Sequence, residues 1–249
     1  MARINSAVRL CCLLGIAFLA CGCTTLSKTD DPSVQQSADP LVGINRRIFA
    51  FNAVADKRVL RPTAKAYSTV VPKRARIGVS NFFANLREPL NLVNNLLQGK
   101  GKAAVTSGYR FAVNSTVGVL GLIDIAKLQN IERKREDLGQ TFAVWGVKPG
   151  PYLVIPFVGP SNIRDGIGAL TSRSAYYPIG LIADDNGARI GLTILNIVDT
   201  RSQFLNVDQG LTQQIDPYSF TKAVFETSRL NAIYDGDPPK NNVDDIDDF

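Results

Sequence analysis

The chain has no histidine, and its four cysteines, Cys11, Cys12, Cys21 and Cys23, all lie within the first 23 of 249 residues. Without histidine there is no Ser-His-Asp triad, no imidazole general base and no histidine metal ligand. Without later cysteines the rest of the chain has no disulfide and no thiolate ligands for zinc or iron–sulfur clusters. No serine lies in a G-x-S-x-G motif. The sequence therefore predicts a protein that is not an enzyme and holds no metal or cofactor.

The first residues carry the clearest targeting pattern in the chain. Two arginines precede an apolar run, Leu10–Ala20, which is too short to cross a bilayer and ends in small residues directly before a cysteine. This pattern resembles a bacterial lipoprotein signal peptide, which predicts cleavage after residue 22 and lipidation of Cys23, with Cys21 as the alternative site. A secretory signal with a chance cysteine is the competing interpretation.

The residue after each candidate cysteine bears on the destination of the protein. It is Gly22 after Cys21 and Thr24 after Cys23, and not the aspartate that tends to retain lipoproteins in the inner membrane of enteric-type bacteria. We therefore expect a lipid-anchored outer-membrane protein that faces the periplasm. Export also excludes nucleic acid as a partner.

Composition divides the remaining chain into three parts. Residues 23–38 are polar without apolar periodicity and are predicted to be a flexible tether. Residues 39–234 are long enough for one domain with a sizeable core. Residues 235–249, which hold six acidic side chains, are predicted to be a disordered acidic tail. The part before this tail is strongly basic, which favours a position near anionic lipid.

The pattern between residues 39 and 234 is mainly helical. Asp39-Pro40 is typical of a helix start, and Leu41, Ile44, Ile48 and Phe51 follow at spacings of three and four residues. This stripe is either a buried helix face, which is the simpler interpretation, or a surface that lines a channel or contacts lipid. Trp145 is expected in the core rather than at a membrane interface.

Proline, glycine and capping residues predict where the later elements begin and end. Further helices are expected from Pro72, at Leu90–Leu97, Lys102–Asn114, Leu138–Trp145 and Ser161–Leu170, around Ile190–Ile197, and from Asp216. The proline-rich stretch Pro149–Pro160 is expected to be extended and rigid. The fold class is therefore predicted as mainly α, with short non-helical segments rich in glycine and proline.

Several motifs along residues 39–230 resemble the MlaA (VacJ) family of outer-membrane lipoproteins. The shorter ones are Asp39-Pro40-Leu41, Asn45-Arg46, Phe51-Asn52, Leu60-Arg61-Pro62, Val71-Pro72, Ser80-Asn81-Phe82, Glu88-Pro89, Leu97-Gln98-Gly99, Arg110-Phe111, Asn114-Ser115, Ile123-Asp124 and Asp216-Pro217-Tyr218. The most specific ones are Asp137-Leu138-Gly139-Gln140-Thr141, Trp145-Gly146-Val147, Gly150-Pro151-Tyr152-Leu153, Pro156-Phe157-Val158-Gly159-Pro160 and Arg164-Asp165-Gly166.

The resemblance implies a fold and a function that composition alone does not. It implies a ring-like, doughnut-shaped helical domain embedded in the membrane, which removes mislocalised phospholipids from the outer leaflet through a central channel. It also implies three partners: membrane phospholipids, trimeric outer-membrane porins, and the soluble periplasmic lipid carrier of the Mla pathway. The alternative is a structural lipoprotein that braces porins or the envelope without transporting lipid.

The candidate channel or lipid-contact residues lie in two segments. Those in the first helix are Leu41, Ile44, Ile48, Phe51 and Asn52. Those in the apolar, glycine-rich stretch Val117–Ala126 are Gly118, Leu120, Gly121 and Ile123. The second group forms either a channel wall or a packed bend in which glycine permits tight turns. Arg164 and Asp165 are expected to form an ion pair that fixes the loop before them.

Overall fold

In a computed structural model, the described residues are 39–175, 185–206, 208, 210 and 214–239. The predicted signal peptide and tether, residues 1–38, lie outside them, and so do residues 240–249 of the predicted acidic tail. Asp235, the first residue of that tail, contacts Lys100, with 2.7 Å between its carboxylate and the Lys100 Nζ atom.

The chain is mainly helical, as its sequence predicts. The first helix, α1 (Val42–Ala55), continues through a π-helical segment (Asp56–Leu60) into α2 (Arg61–Val70). The remaining helices are α3 (Lys73–Asn85), α4 (Glu88–Leu97), α5 (Gly101–Thr116), α6 (Ile125–Leu128), α7 (Leu138–Val144), α8 (Ile163–Ala175), α9 (Asn186–Gln203) and α10 (Pro217–Ile233). No helix among the described residues combines the length and the apolar character needed to cross a membrane.

Short polar side chains determine where several helices begin. Asp124, Asp137, Asp185 and Asp216 each accept a hydrogen bond from a backbone N–H in the first turn of the helix that follows. These N–H groups have no partner within the helix, so each cap stabilises its helix by about 1 kcal/mol. The predicted end of α4 at Gly99 is confirmed, since this glycine has a φ of +75°.

The predicted extended stretch is confirmed, and it forms an antiparallel hairpin. Strand β1 (Tyr152–Ile155) pairs with β2 (Gly159–Asn162), so that Tyr152 faces Asn162 and Ile155 faces Gly159. The prediction that Ser161 begins the next helix is wrong, because Ser161 lies within β2. Instead, the Asn162 side chain accepts a hydrogen bond of 2.8 Å from the backbone N–H of Asp165 in α8.

Helix pairs and the hairpin build the rest of the described fold. Helix α4 packs along α5, α7 packs along α8, and α9 packs against α2 and α3. The hairpin lies between α1, which contacts β1, and α10, which contacts β2. A small apolar cluster of Tyr152, Val154 and Tyr218 fills this junction, with Ile48 and Phe49 packed against it.

Buried polar side chains outnumber buried apolar ones among the described residues. Ordinary cores are apolar, and asparagine, glutamate and arginine are rarely buried unless they are paired. Here α4 and α5 bury Glu88, Asn94, Asn95, Arg110 and Asn114 almost completely. The Arg110–Glu88 ion pair joins these two helices. The asparagines bond within their own helix or to neighbouring segments.

Arg110 is the centre of this polar interior, with 1% of its side chain exposed. Its guanidinium contacts Glu88 Oε1 at 2.9 Å and both oxygens of Asp124 at 2.8 and 2.7 Å, and it also donates to the Ile131 carbonyl. Arg133 reaches the same Glu88 oxygen at 2.7 Å. Two arginines and two carboxylates thus balance one another inside the protein.

The interpretation of the α1 stripe as a buried face is wrong for Ile44 and Phe51, because 57% and 50% of their surface is exposed. Leu41 is half-buried, and Ile48 packs against the apolar cluster. The buried position on this helix belongs to Asn45.

Trp145 is exposed, so the prediction that it lies in the core is wrong, and its indole N–H donates to the Leu97 carbonyl at 3.0 Å.

Replacing Arg110 with methionine should lower the free energy of unfolding by about 3–5 kcal/mol, because Glu88 and Asp124 would remain buried with reduced compensation. The control is Arg47→Met, since Arg47 is exposed on α1, and its effect should stay within about 0.5 kcal/mol. Denaturant unfolding of the purified protein in detergent measures both. Equal stability of the two variants would contradict the structural role of the cluster.

Candidate functional site

Large apolar side chains are exposed on most of the described elements. Where exposed apolar side chains form a contiguous patch, they mark contact with a membrane, a ligand or another protein. Two groups of these exposed apolar residues are together called the apolar surface below. They are the α1 residues Ile44, Phe51 and Val54 with the hairpin residues Phe157 and Val158, and the turn residues Val117, Val119, Leu120, Leu122 and Ile123.

The turn after α5 has an unusual backbone. Val119 and Leu120 both have positive φ angles, +53° and +58°, a conformation that is costly for side chains with a Cβ atom. Hydrogen bonds from Gly121 N to Asn114 O (2.7 Å) and from Ile123 N to Gly118 O (2.9 Å) hold it in place. The surrounding structure therefore imposes a conformation that leaves Leu120 67% exposed.

Gly118 and Gly121 lie where this turn packs most closely. A Cβ atom on Gly118 would lie 2.2 Å from the Ile123 carbonyl oxygen, and one on Gly121 would lie 2.5 Å from the Asn85 Cβ. Both glycines are buried, which agrees with a packed bend. A substitution at either would therefore disturb packing, whereas the side chains of Leu120 and Ile123 are exposed.

Two asparagines of α1 hold the outer edge of β1. Asn45 donates to the Tyr152 carbonyl at 3.0 Å and accepts from the Val154 N–H at 2.9 Å. Asn52, two helical turns later on the same face, donates to the Ile155 carbonyl at 3.0 Å and accepts from the Phe157 N–H at 2.8 Å. We call this pair the asparagine clasp. It gives the strand edge the partners that a third strand would otherwise supply.

The clasp positions the tip of the hairpin against α1. Phe157, with a φ of +61°, lies edge-on to the Phe51 ring with 5.1 Å between the ring centres. Behind the tip is a cleft of about 160 Å³, lined by Asn52, Ala55, Asp56, Leu60, Phe157, Val158 and Gly159. The tip is thus apolar, with 73% of Phe157 exposed, and the asparagine clasp holds it in place.

A second ionic cluster joins Arg229 of α10 to Asp137 at the start of α7 and to Asp165 in α8. Arg229 contacts both oxygens of Asp137 at 2.6 Å, and its Nε atom lies 2.8 Å from Asp165. Burial alone would raise the pKa of Asp137, but the Arg229 hydrogen bonds and charge outweigh it and hold that pKa below its usual value. The predicted Arg164–Asp165 ion pair is confirmed at 2.9 Å.

A third polar contact joins α2, α3 and α9. Asp199, which is buried, accepts hydrogen bonds from the Tyr67 hydroxyl at 3.0 Å, from Ser80 at 2.7 Å and from Gln203 at 3.0 Å. Burial and the nearby carboxylate raise the pKa of Tyr67 to about 12, so its hydroxyl remains a donor at neutral pH. Within the described ranges, no group of three or more acidic side chains is arranged to hold a metal ion.

The nine predicted residues therefore occupy different environments. Ile44, Phe51, Leu120 and Ile123 are on the apolar surface, Asn52 belongs to the clasp, and Gly118 and Gly121 support the turn. The sequence interpretation missed the roles of Asn45, Glu88 and Arg110. The spacing of Asn45 and Asn52 was the available signal, because side chains seven residues apart share a helix face.

The sequence model of the family described as "MlaA lipoprotein" matches residues 37–232. The chain belongs to this family. It is 36% identical to the intermembrane phospholipid transport system lipoprotein MlaA of Escherichia coli (strain K12) over 221 residues, which cover 85% of this chain and 86% of that protein. The protein of the same name from Haemophilus influenzae is 32% identical over 229 residues, 90% of this chain and 89% of that one.

A solved structure of similar fold supports the family assignment. It is described as the structural basis for maintenance of bacterial outer membrane lipid asymmetry, and it matches with a TM-score of 0.69 and 32% identity. The match covers 80% of this chain and all of the other. An uncharacterized protein of Rickettsia typhi, 32% identical over 78% of both chains, is a further relative.

Replacing Asn45 with leucine should lower the free energy of unfolding by about 2–5 kcal/mol, because the Tyr152 carbonyl and the Val154 N–H would each lose a buried partner. The matched control is Asn231→Leu on the exposed side of α10, which should change it by less than about 0.5 kcal/mol. Thermal unfolding in detergent measures both variants. A stable Asn45→Leu protein would show that the hairpin does not depend on the clasp.

Proposed function

We propose that this protein is a non-enzymatic outer-membrane lipoprotein that removes mislocalised phospholipids from the outer leaflet and passes them through a central channel to a periplasmic lipid carrier. Membership of the MlaA family supports this function, since curated members are named for intermembrane phospholipid transport. The structural observation that carries it is the reversed distribution of polarity, with ion pairs and asparagines buried and large apolar side chains exposed.

The energetics of lipid extraction explain why such a surface is needed. Moving a two-chain phospholipid into water exposes roughly thirty methylenes, at about 0.8 kcal/mol each, which totals more than about 20 kcal/mol. A transfer protein has to replace the bilayer with apolar contacts along the whole route. A polar interior held by Arg110 and Arg229 leaves apolar side chains available for that purpose.

In this proposal the protein is a ring embedded in the membrane and anchored by acyl chains on Cys23, or on Cys21. The apolar surface contacts lipid, either in the bilayer or in transit. The candidate residues that line or support the route are Leu41, Ile44, Ile48, Phe51, Asn52 and those of the Gly118–Ile123 turn. The partners are trimeric porins, which would fix the ring in the outer membrane, and the soluble carrier of the Mla pathway, which would accept the lipid. No nucleotide-binding motif is present in the sequence, so the energy for transport comes from the partners or from lipid asymmetry.

Deleting the gene should raise the amount of phospholipid in the outer leaflet, because mislocalised lipid would no longer be removed. Labelling of phospholipid amines on intact cells measures this amount. The intact gene should restore the low level, whereas a variant with both Cys21 and Cys23 replaced by serine should not. Unchanged labelling after deletion would reject transport and favour the alternative, a lipoprotein that braces porins or the envelope.

The apolar surface should hold the protein on membranes even without its lipid anchor. A variant that starts at residue 24, exported by an ordinary secretory signal, should remain with membranes after a high-salt wash. Leu120→Arg in this background should reduce the membrane-bound fraction about tenfold or more, because a charge placed in the hydrocarbon region costs roughly 2.5–3.5 kcal/mol.

The control for that experiment is Asn231→Arg, which adds the same charge at an exposed polar position of α10. It should leave the membrane-bound fraction unchanged. If both arginine variants stay on membranes to the same extent, the turn does not contact lipid.

A further inference from the structure

The connecting segment, residues 129–137, runs across the first turn of α4. The Arg133 guanidinium contacts Glu88 at 2.7 Å, and the backbone N–H of Glu136 donates to the Asn91 side chain at 3.2 Å. Arg87 is the residue directly before Glu88 and forms the N-cap of α4. The segment therefore places three consecutive basic residues, 133–135, beside Arg87.

These basic side chains differ in whether an acidic side chain neutralises their charge. Arg133 is neutralised, because Glu88 and Asp124, the acids it contacts, together balance Arg133 and Arg110. In contrast, the side chains of Arg87, Lys134 and Arg135 are exposed and form no ion pair or hydrogen bond with other described residues. The neighbouring acids Glu136 and Asp137 are already paired with Lys100 and Arg229, which leaves the exposed Glu132 as the one uncommitted acid of the segment.

The charges in this cluster act on one another. Although the Arg87 side chain is exposed, the protein packed around its guanidinium partly desolvates it and lowers its pKa. The positive charges of Arg135 and Arg133 lower this pKa further. Like charges held together without a counterion cost Coulomb energy, which a bound anion would recover. The first turn of α4 adds the positive end of a ten-residue helix at the same place.

Exposed apolar side chains lie at the start of the same connecting segment. Leu128 is 75% exposed and directly precedes the connecting segment. Tyr109, also exposed, reaches the first residue of the segment through a 2.7 Å hydrogen bond from its hydroxyl to Gln129. A segment that combines basic side chains with exposed apolar ones at its start suits a molecule that carries a phosphate group and hydrocarbon chains.

We propose that Arg87 and Arg135 form a binding site for the phosphate group of a phospholipid, with Lys134 at its edge. Guanidinium groups suit this role because their paired N–H donors match the oxygens of a phosphate. The inference rests on the proposed lipid-transport function and names the headgroup contact that the function requires. Glu132 would favour headgroups that also carry an amine.

The test is a calorimetric titration of the purified full chain in neutral detergent with a short-chain phosphatidylethanolamine. Replacing Arg87 and Arg135 together with glutamine should weaken binding about tenfold or more, because two charge-assisted contacts are lost. Replacing both with lysine should weaken it less, since the charge remains but the paired donors do not. The matched control is Lys57→Gln with Arg58→Gln, which removes two exposed positive charges of the π-helical segment and should leave binding unchanged.

Parallel titration with inorganic phosphate distinguishes a lipid headgroup from a free anion. If the glutamine pair abolishes binding of inorganic phosphate but leaves the lipid affinity intact, the site takes a free anion and the proposal fails. Equal weakening by the control pair would also overturn it, because total charge rather than this cluster would then explain binding. If the unmodified protein binds no phospholipid at all, the failure lies with the proposed function instead.

Discussion

The buried guanidinium of Arg110 is the interaction on which the described fold depends most. It holds α5 to Glu88 on α4, to Asp124 at the start of α6 and to the carbonyl of Ile131 in the connecting segment. Removing one partner of a buried ion pair is strongly destabilising, because the remaining charge is left uncompensated. Arg110 thus links four consecutive parts of the chain.

A polar interior has a direct effect on the surface. Because asparagine, glutamate and arginine occupy the buried positions of α4 and α5, the apolar residues of the same helices, such as Val93 and Phe111, are exposed. In water this arrangement would be costly, at roughly 25 cal/mol per Å² of exposed apolar area. Next to lipid the same exposure costs nothing, and the interior ion pairs are shielded from salt. This distribution of polarity is the reverse of that in an ordinary water-soluble core, although no described helix is long and apolar enough to cross a membrane.

The sequence predicts the helices well and their environments poorly. Caps and breakers such as Pro72, Gly99 and Asp216 are local signals, and the helices they delimit are confirmed. The apolar stripe of α1 led to a buried-face interpretation that is wrong for Ile44 and Phe51, because that reasoning assumes water outside and an apolar core inside. Residues that pair across long distances, such as Arg229 with Asp137, have no local signature at all. The lipid-contact roles of the nine candidate residues remain predictions.

The asparagine clasp has a consequence for how the protein behaves outside its native membrane. A two-stranded hairpin normally leaves open backbone donors and acceptors, onto which a strand from another molecule can add. On the β1 edge, Asn45 and Asn52 already occupy these groups with side-chain amides. Two residues of one helix therefore block the addition of another strand at the β1 edge of a chain that exposes many apolar side chains.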